Sequence, residues 1–241
     1  MHEVNAYESS CMSDITGETL RPGGFLLTEK AMLFSGINSN SQILDLGCGE
    51  GATLGYLYQH CGVCGTGIDP SIKLLTRGKE NHPMLEFIYG SGNELPFRSQ
   101  SMSHVFAECT LSLMDNLPKT LQEVYRILKP GGFFIITDVY AKNPENRHLM
   151  DAYAFNSCMR GLHHLEELKS SLENLGFTSL VVEDYSELLK EMMVKIIFCY
   201  GSMDAFWGKT TENKDYLTRC TFQEVLKPCK PGYFMMILRK E

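Results

Sequence analysis

The stretch Ile43-Leu44-Asp45-Leu46-Gly47-Cys48-Gly49-Glu50-Gly51 constrains this chain more than any other, because a short apolar run breaks there into closely spaced glycines. The pattern reads as a strand, a tight turn and a helix start. Glycine has no Cβ, so such a turn can adopt positive φ and let a ligand approach the backbone, while the next helix offers unpaired N–H groups. In outline it is a nucleotide-binding turn.

Glycine spacing alone leaves the nucleotide open. Gly47-x-Gly49-x-x-Ala52 also satisfies the looser dinucleotide fingerprint, with Asp69 a ribose ligand about 20 residues on. Asp45 separates the two readings. A carboxylate beside a bound pyrophosphate costs roughly 4 kcal/mol for like charges about 4 Å apart at an effective dielectric near 20. A ligand carrying an ammonium and a sulfonium gains by a similar amount, so the turn suits a cationic amino-acid nucleoside better than NAD. On these residues, Asp45-Leu46-Gly47-Cys48-Gly49-Glu50-Gly51 resembles the first motif of the class I S-adenosylmethionine-dependent methyltransferases.

With 241 residues and 44% hydrophobic content, the chain can bury a sizeable core. It reads as one domain over 1–241, comprising an N-terminal cap segment (1–36), a core (41–185), a helical insertion (186–228) and a last strand (231–240). A net charge of −7 and a pI near 5.5 argue against nucleic acid and favour a small-molecule partner. Neither a secretory leader nor a membrane span is expected, which points to a cytoplasmic protein. The nine cysteines are an odd number and are expected as reduced thiols.

Taken in order, Arg21-Pro22-Gly23-Gly24 places an arginine beside a hinge before the apolar run Phe25 to Phe34. Arg21 there can pair with a cofactor carboxylate, or it can be a solvated residue at a turn. Ser41 to Leu46 is the first strand and Ala52 to His60 its covering helix. Val63 to Asp69 reads as a second strand ending in an acid, suited to a ribose diol or to capping the next helix through Asp69 or Ser71. Leu85 to Tyr89 is the third strand and Met102 to Ala107 the fourth. Ligands of open parallel sheets lie beyond the carboxyl ends of the strands near the switch point, which puts Glu108 by the ligand's reactive end. Thr120 to Leu128 is an amphipathic helix, stopped by Lys129-Pro130-Gly131-Gly132 before a fifth strand at Phe133 to Thr137.

The resemblance adds roles to these positions. Gly90-Ser91-Gly92-Asn93-Glu94-Leu95-Pro96-Phe97 looks like the family's GDAExLPF stretch, with Ser91 in place of the acid that receives the adenine amine. It implies cofactor contacts from Asp45, Gly47, Cys48 and Gly49 at the turn, and from Asp69 and Pro70 after the second strand. Ser91, Gly92 or Asn93 is implied at the base, while Glu108 at its strand end can hold the ammonium and Arg21 the carboxylate by position in the chain. The implied fold is an α/β, Rossmann-like doubly wound sheet of seven strands in the order 3-2-1-4-5-7-6. Its strand 7 is antiparallel and helices cover both faces. Leu-Pro-Phe and Leu-Lys-Pro-Gly-Gly are most similar to the ubiquinone/menaquinone-type branch, which acts on small molecules.

Beyond the core, Glu145 to Met159 reads as a helical cover, and Gly161 to Leu175 as a helix with His163-His164 near its start. Thr178 to Asp184 is a sixth strand and Gly232 to Arg239 a seventh. More than forty residues separate them, the main departure from the family pattern. Leu188 to Met203 within this insertion looks helical and methionine-rich, either as core and lid or as a homodimer contact. Cys61-x-x-Cys64 lacks a second pair, so both cysteines are expected as buried small hydrophobes and no metal is expected.

The expected reaction is in-line methyl transfer to a small-molecule acceptor, for which positioning supplies roughly 7 to 11 kcal/mol and no base is strictly required. If a base acts, Glu108, Asp138, Tyr140 and His163 come from the right loops. Three other readings stay open. A metalloid methyltransferase would use thiols among Cys109, Cys158, Cys220 and Cys229; an NAD-dependent oxidoreductase or a non-catalytic cofactor-binding scaffold would use the same turn differently.

Overall fold

In the computed structural model, residues 6–8, 14–150, 157–210 and 224–241 are described. The expectations for Cys220, for parts of the N-terminal segment and insertion, and for the middle of the 145–159 cover lie outside them.

Seven strands form one sheet in the order β3-β2-β1-β4-β5-β7-β6. They are β1 (Ile43–Leu46), β2 (Thr66–Asp69), β3 (Glu86–Tyr89), β4 (Met102–Glu108), β5 (Leu128–Ala141), β6 (Phe177–Asp184) and β7 (Pro231–Lys240). β1 pairs in parallel with both β2 and β4, so the order reverses on either side of β1 and leaves a crevice at the carboxyl ends of these strands. β7 runs antiparallel between β5 and β6. Order, direction and strand number all follow the expectation.

Side-chain alternation builds two cores. Ile43, Phe106, Ile135, Tyr233, Met235 and Ile237 face one layer, while Leu44, Leu46, Val105, Phe134, Phe234 and Met236 face the other. A strand buried on both faces must be apolar at every position, which is why β7 reads Tyr-Phe-Met-Met-Ile-Leu. On the first face lie α1 (Leu26–Ser35) and α2 (Ala52–Cys61); α3 (Ile72–Asn81) follows β2. On the second lies α4 (Leu117–Ile127), where Leu121, Val124 and Ile127 recur at helical spacing and Asn116 caps the first turn. It is joined there by α5 (Leu165–Asn174). The insertion supplies α6 (Ser186–Tyr200) and α7 (Met203–Thr210), and 224–229 is helical.

Three local expectations are corrected. Lys129-Pro130-Gly131-Gly132 is not a turn between helix and strand but part of β5: Leu128 pairs with Met102 and Phe133 with His104, so the extra residues bulge within the ladder, with Gly131 at φ +77°. The 161–175 helix starts only at Leu165. Its expected first turn is held extended, because the His163 N–H donates to Val139 O and the Ala141 N–H donates to His163 O; His164 then caps α5. Cys64 precedes β2 and is exposed, while Cys61 is half-buried, so neither is the fully buried hydrophobe expected.

Phe234 is fully buried between β5 and β6. Phe234→Ala is expected to destabilise the protein by about 3–5 kcal/mol, since a large cavity opens in a strand that has no freedom to relax. Denaturant unfolding should show a lower midpoint at an unchanged slope.

Candidate functional site

At the crevice each of the three central strands contributes an acid. Asp45 lies within β1, while Asp69 ends β2 and Glu108 ends β4; all three are buried. The turn between β1 and α2 is pinned to β2, because the N–H groups of Gly47 and Cys48 both donate to Ile68 O, at 2.8 and 3.1 Å. Gly47 sits at φ +73°, and a Cβ there would come within 2.0 Å of Thr110 Oγ1, so only glycine fits. At Gly49 a Cβ would meet nothing within 4 Å: this backbone faces open space. Gly51 is the N-cap of α2 and provides no side-chain cap, leaving the first N–H groups of the helix to the cleft.

Asp69 serves the turn and the next helix together. Its Oδ2 accepts the Gly49 N–H at 2.9 Å and its Oδ1 the Ser71 N–H at 2.8 Å, while Ser71 caps α3. A carboxylate oxygen has further lone-pair capacity, so the capping role and a diol-binding role do not compete. Burial pushes the Asp69 pKa up, and those two backbone donors pull it back.

Glu108 is held on every side. Thr53 Oγ1 donates to its Oε2 at 2.5 Å and Thr28 Oγ1 to its Oε1 at 3.0 Å, and Arg21 Nη2 lies 3.1 Å from Oε2. Arg21 is itself buried. It donates to Thr28 Oγ1 at 2.7 Å, and its Nε has no partner. An unpaired buried N–H costs on the order of 1–3 kcal/mol, so this arginine is held in place by its other donors at a local cost. Asp45 has its pKa pushed up to about 8, first by burial and then by the Glu108 charge, against the opposing Arg21. Three carboxyls against one guanidinium make this a cavity suited to a cation.

The cleft encloses about 620 Å³, within the span of about 300–1,000 Å³ usual for small-molecule sites. Of the expected cofactor residues, Arg21, Asp45, Gly47, Cys48, Gly49 and Asp69 line it, and so do Pro70, Ser91, Gly92 and Glu108. Asn93 does not; its Oδ1 accepts from Thr120 Oγ1 on α4. Among the four candidate bases only Glu108 reaches the cleft. Asp138 is fully buried behind it, accepting from the N–H and Oγ of Ser112, with His163 Nε2 at 3.3 Å. Tyr140 packs edge-on against Phe234 instead.

Several wall residues carry no signal of their own in the sequence. Tyr7 and Leu20 close the cleft from the N-terminal side, and Ser157, Arg160 and Gly161 close it from the segment after β5. Thr53 is the exception: its place one residue into the helix after the glycine turn points it at the crevice. Cys109, the residue after β4, adopts φ +55°. A left-handed cysteine is strained by roughly 1–3 kcal/mol and marks the strand end where the cleft turns inward.

The profile of the family described as Methyltransferase domain matches residues 44–136. The uncharacterized methyltransferase YodH of Bacillus subtilis is 34% identical over 219 residues, covering 83% of this chain and 91% of that protein. The arsenite methyltransferase of Halobacterium salinarum is 26% identical over 162 residues, 64% of this chain but only 41% of that longer protein. Phosphoethanolamine N-methyltransferase 2 of Haemonchus contortus, solved with S-adenosyl-L-methionine, superposes with a TM-score of 0.73 at 18% identity, over 96% of this chain and 56% of that one.

Because Asp45 holds a proton up to about pH 8, S-adenosylmethionine binding at pH 7 is expected to expel it as the ligand's cation pulls the carboxyl down. Binding enthalpies measured in buffers of different ionisation heat should report close to one proton released. Asp45→Asn should release none. Asp45→Ala and Asp69→Ala should each weaken binding by more than about 1 kcal/mol, as lost charge-assisted hydrogen bonds do.

Proposed function

We infer the function from the premise that this chain belongs to the S-adenosylmethionine-dependent methyltransferase family. It is a methyltransferase, and the acceptor we propose is a small molecule bound at the inner end of the cleft. The observation that carries this reading is the carboxylate cluster around the glycine turn, matched to a cation, with Arg21 on the same wall.

The residues fit the cofactor. Asp45 and Glu108 would hold its ammonium and Arg21 its carboxylate, while Asp69 would take the ribose diol and the backbone of Ser91 and Gly92 the adenine. When bound, S-adenosylmethionine supplies a methyl group made electrophilic by its sulfonium. The protein's own contribution is position and dryness. Glu108 is tied by two threonines and an arginine, which suits a fixed charge rather than a proton acceptor. Tyr7 and Leu20 on one side and the 157–161 segment on the other keep water from the inner end. Reactant placement of this kind accounts for roughly 7–11 kcal/mol of a barrier, so the acceptor needs only an available lone pair or carbanion.

A second reading has its own observation. Cys109 and Cys158 lie close enough that a charge on Cys158 raises the Cys109 pKa; Cys109 borders the cleft, and both line the small cavity behind it. A pair of thiols there would suit a trivalent metalloid, the acceptor class named for the Halobacterium relative. Burial acts against it by pushing Cys158 up to about 12 and keeping both groups as thiols. Cys229 is spent on the carbonyl of Asn146, and no group of three metal ligands exists among the described residues.

Radiolabelled methyl groups from S-adenosylmethionine, offered with a metabolite extract, are expected to appear in one small molecule identifiable by mass. Label confined to protein or nucleic acid would overturn the reading. Phenylarsine oxide discriminates the second possibility: one equivalent bound by the wild type and none by Cys109→Ser or Cys158→Ser would favour it, and no uptake would remove it.

A further inference from the structure

Behind Cys109 lies a second cavity that the cofactor does not need. α6 presents Leu189, Met192, Met193 and Ile196 to it, a stripe at i, i+3, i+4 and i+7 that places all four on one face. Met203 and Phe206 of α7 close the far side, and Met159 and Val139 close the near one. The segment between β6 and β7 thus has one wall turned toward the cleft. Tyr7, Leu20, Cys109 and Ser157 line both spaces, so the second cavity opens off the first beside the end of β4.

Its chemistry is one-sided. The three polar groups at the shared rim, and the Cys158 thiol just inside it, are already engaged within the protein. Tyr7 Oη accepts the Cys158 N–H at 3.2 Å, Ser157 Oγ accepts the Met159 N–H at 3.3 Å, and the Cys109 thiol donates to Tyr233 Oη at 3.4 Å. The Cys158 thiol is held beside Tyr7. A polar or charged group pushed into this space would lose its water and find no free partner, whereas an apolar group would lose nothing. In the present form the cavity holds only about 30 Å³, less than a ring. Met159, Met192, Met193 and Met203 line it, however, and an unbranched thioether side chain with three rotatable bonds can swing aside and re-pack around a guest.

From this we propose that the cavity walled by α6 and α7 is the seat for an uncharged, apolar portion of the methyl acceptor, so that the enzyme selects acceptors with a hydrocarbon or aromatic body. The proposal deepens the small-molecule reading and rests on it. The cofactor half of the cleft, crowded with carboxylates, is closed to such a group. The cavity continues from the point where methyl transfer occurs, so the acceptor's reactive atom sits at the rim by Cys109 while its apolar body lies against α6. The insertion is then a specificity element, and its length is explained by the need for two helices to wall a dry space that the sheet alone leaves open.

The test uses the full chain labelled with 13C-methyl methionine, saturated with S-adenosylhomocysteine and titrated with toluene, benzylamine and benzoate. Toluene is expected to shift the methyl resonances of Met159, Met192, Met193 and Met203 saturably, out of the thirteen methionines. The two charged analogues should do so at least ten-fold more weakly. Unmoved resonances at these four positions, shifts spread over all methionines, or equal responses to the charged rings would overturn the proposal. Calorimetry with S-adenosylhomocysteine on the same sample separates the levels. Bound S-adenosylhomocysteine without toluene shifts overturns the apolar seat alone, and no S-adenosylhomocysteine binding overturns the site on which it rests.

Discussion

Everything in the active cleft depends on three carboxyl groups being taken out of water at the edge of one sheet. Asp45, Asp69 and Glu108 belong to three adjacent strands, and the reversal of strand order about β1 brings them to one crevice. Buried charges of one sign are tolerated only when paired, protonated or hydrogen-bonded, and the structure uses all three remedies. Glu108 is paired with Arg21, Asp45 is held protonated, and Asp69 takes two backbone donors. The supporting residues, from Thr28 on α1 to Thr53 on α2, are there to make that arrangement tolerable.

The same requirement explains why the N-terminal segment belongs to the site. A sheet with a glycine turn makes a crevice but supplies no cation. Arg21, arriving from outside the sheet, supplies it and is fixed by Thr28 one helix further on. Tyr7 and Leu20 come with it and close the cleft. On the opposite side the 157–161 segment packs so tightly that a Cβ on Gly161 would come within 1.8 Å of Ser112 O. Asp138 is the anchor beneath both, binding Ser112 and facing His163. Two residues that from sequence stood as bases therefore tie loops together behind the wall.

Legibility from sequence followed the range of the interactions. The sheet order, the glycine turn and the acids at strand ends are recorded in local pattern: apolar runs of fixed length, glycines at fixed spacing, an acid where the run stops. Ten of the eleven expected cofactor residues line the cleft for that reason. Asn93 does not line it, its side chain being claimed by Thr120, a contact between residues 27 apart that no local pattern records. His163 failed likewise, since its backbone pairing to β5 outweighs the helix signal beginning at Gly161. Thr28, Tyr7 and Ser157 were invisible because nothing about a threonine, a tyrosine or a serine in sequence says which buried atom it faces. The insertion was legible as an anomaly of length, but the role of its inner stripe depends on what it packs against.

Asp45 also makes the cleft work against the fold. In the unfolded chain its carboxyl ionises near its ordinary 3.8, whereas in the folded protein it does so near 8. The folded state therefore binds the extra proton throughout that window, and its stability falls as pH rises from about 4 towards 8, opposite to the usual contribution of a salt-bridged carboxylate. A ligand cation beside Asp45 restores what ionisation removes, so the empty cleft is weakest near the pH at which the occupied cleft holds its ligand best. Such a site is not arranged for stability. It stores an unmet demand for positive charge, at a site whose Arg21 and Glu108 are already tied in place by Thr28 and Thr53.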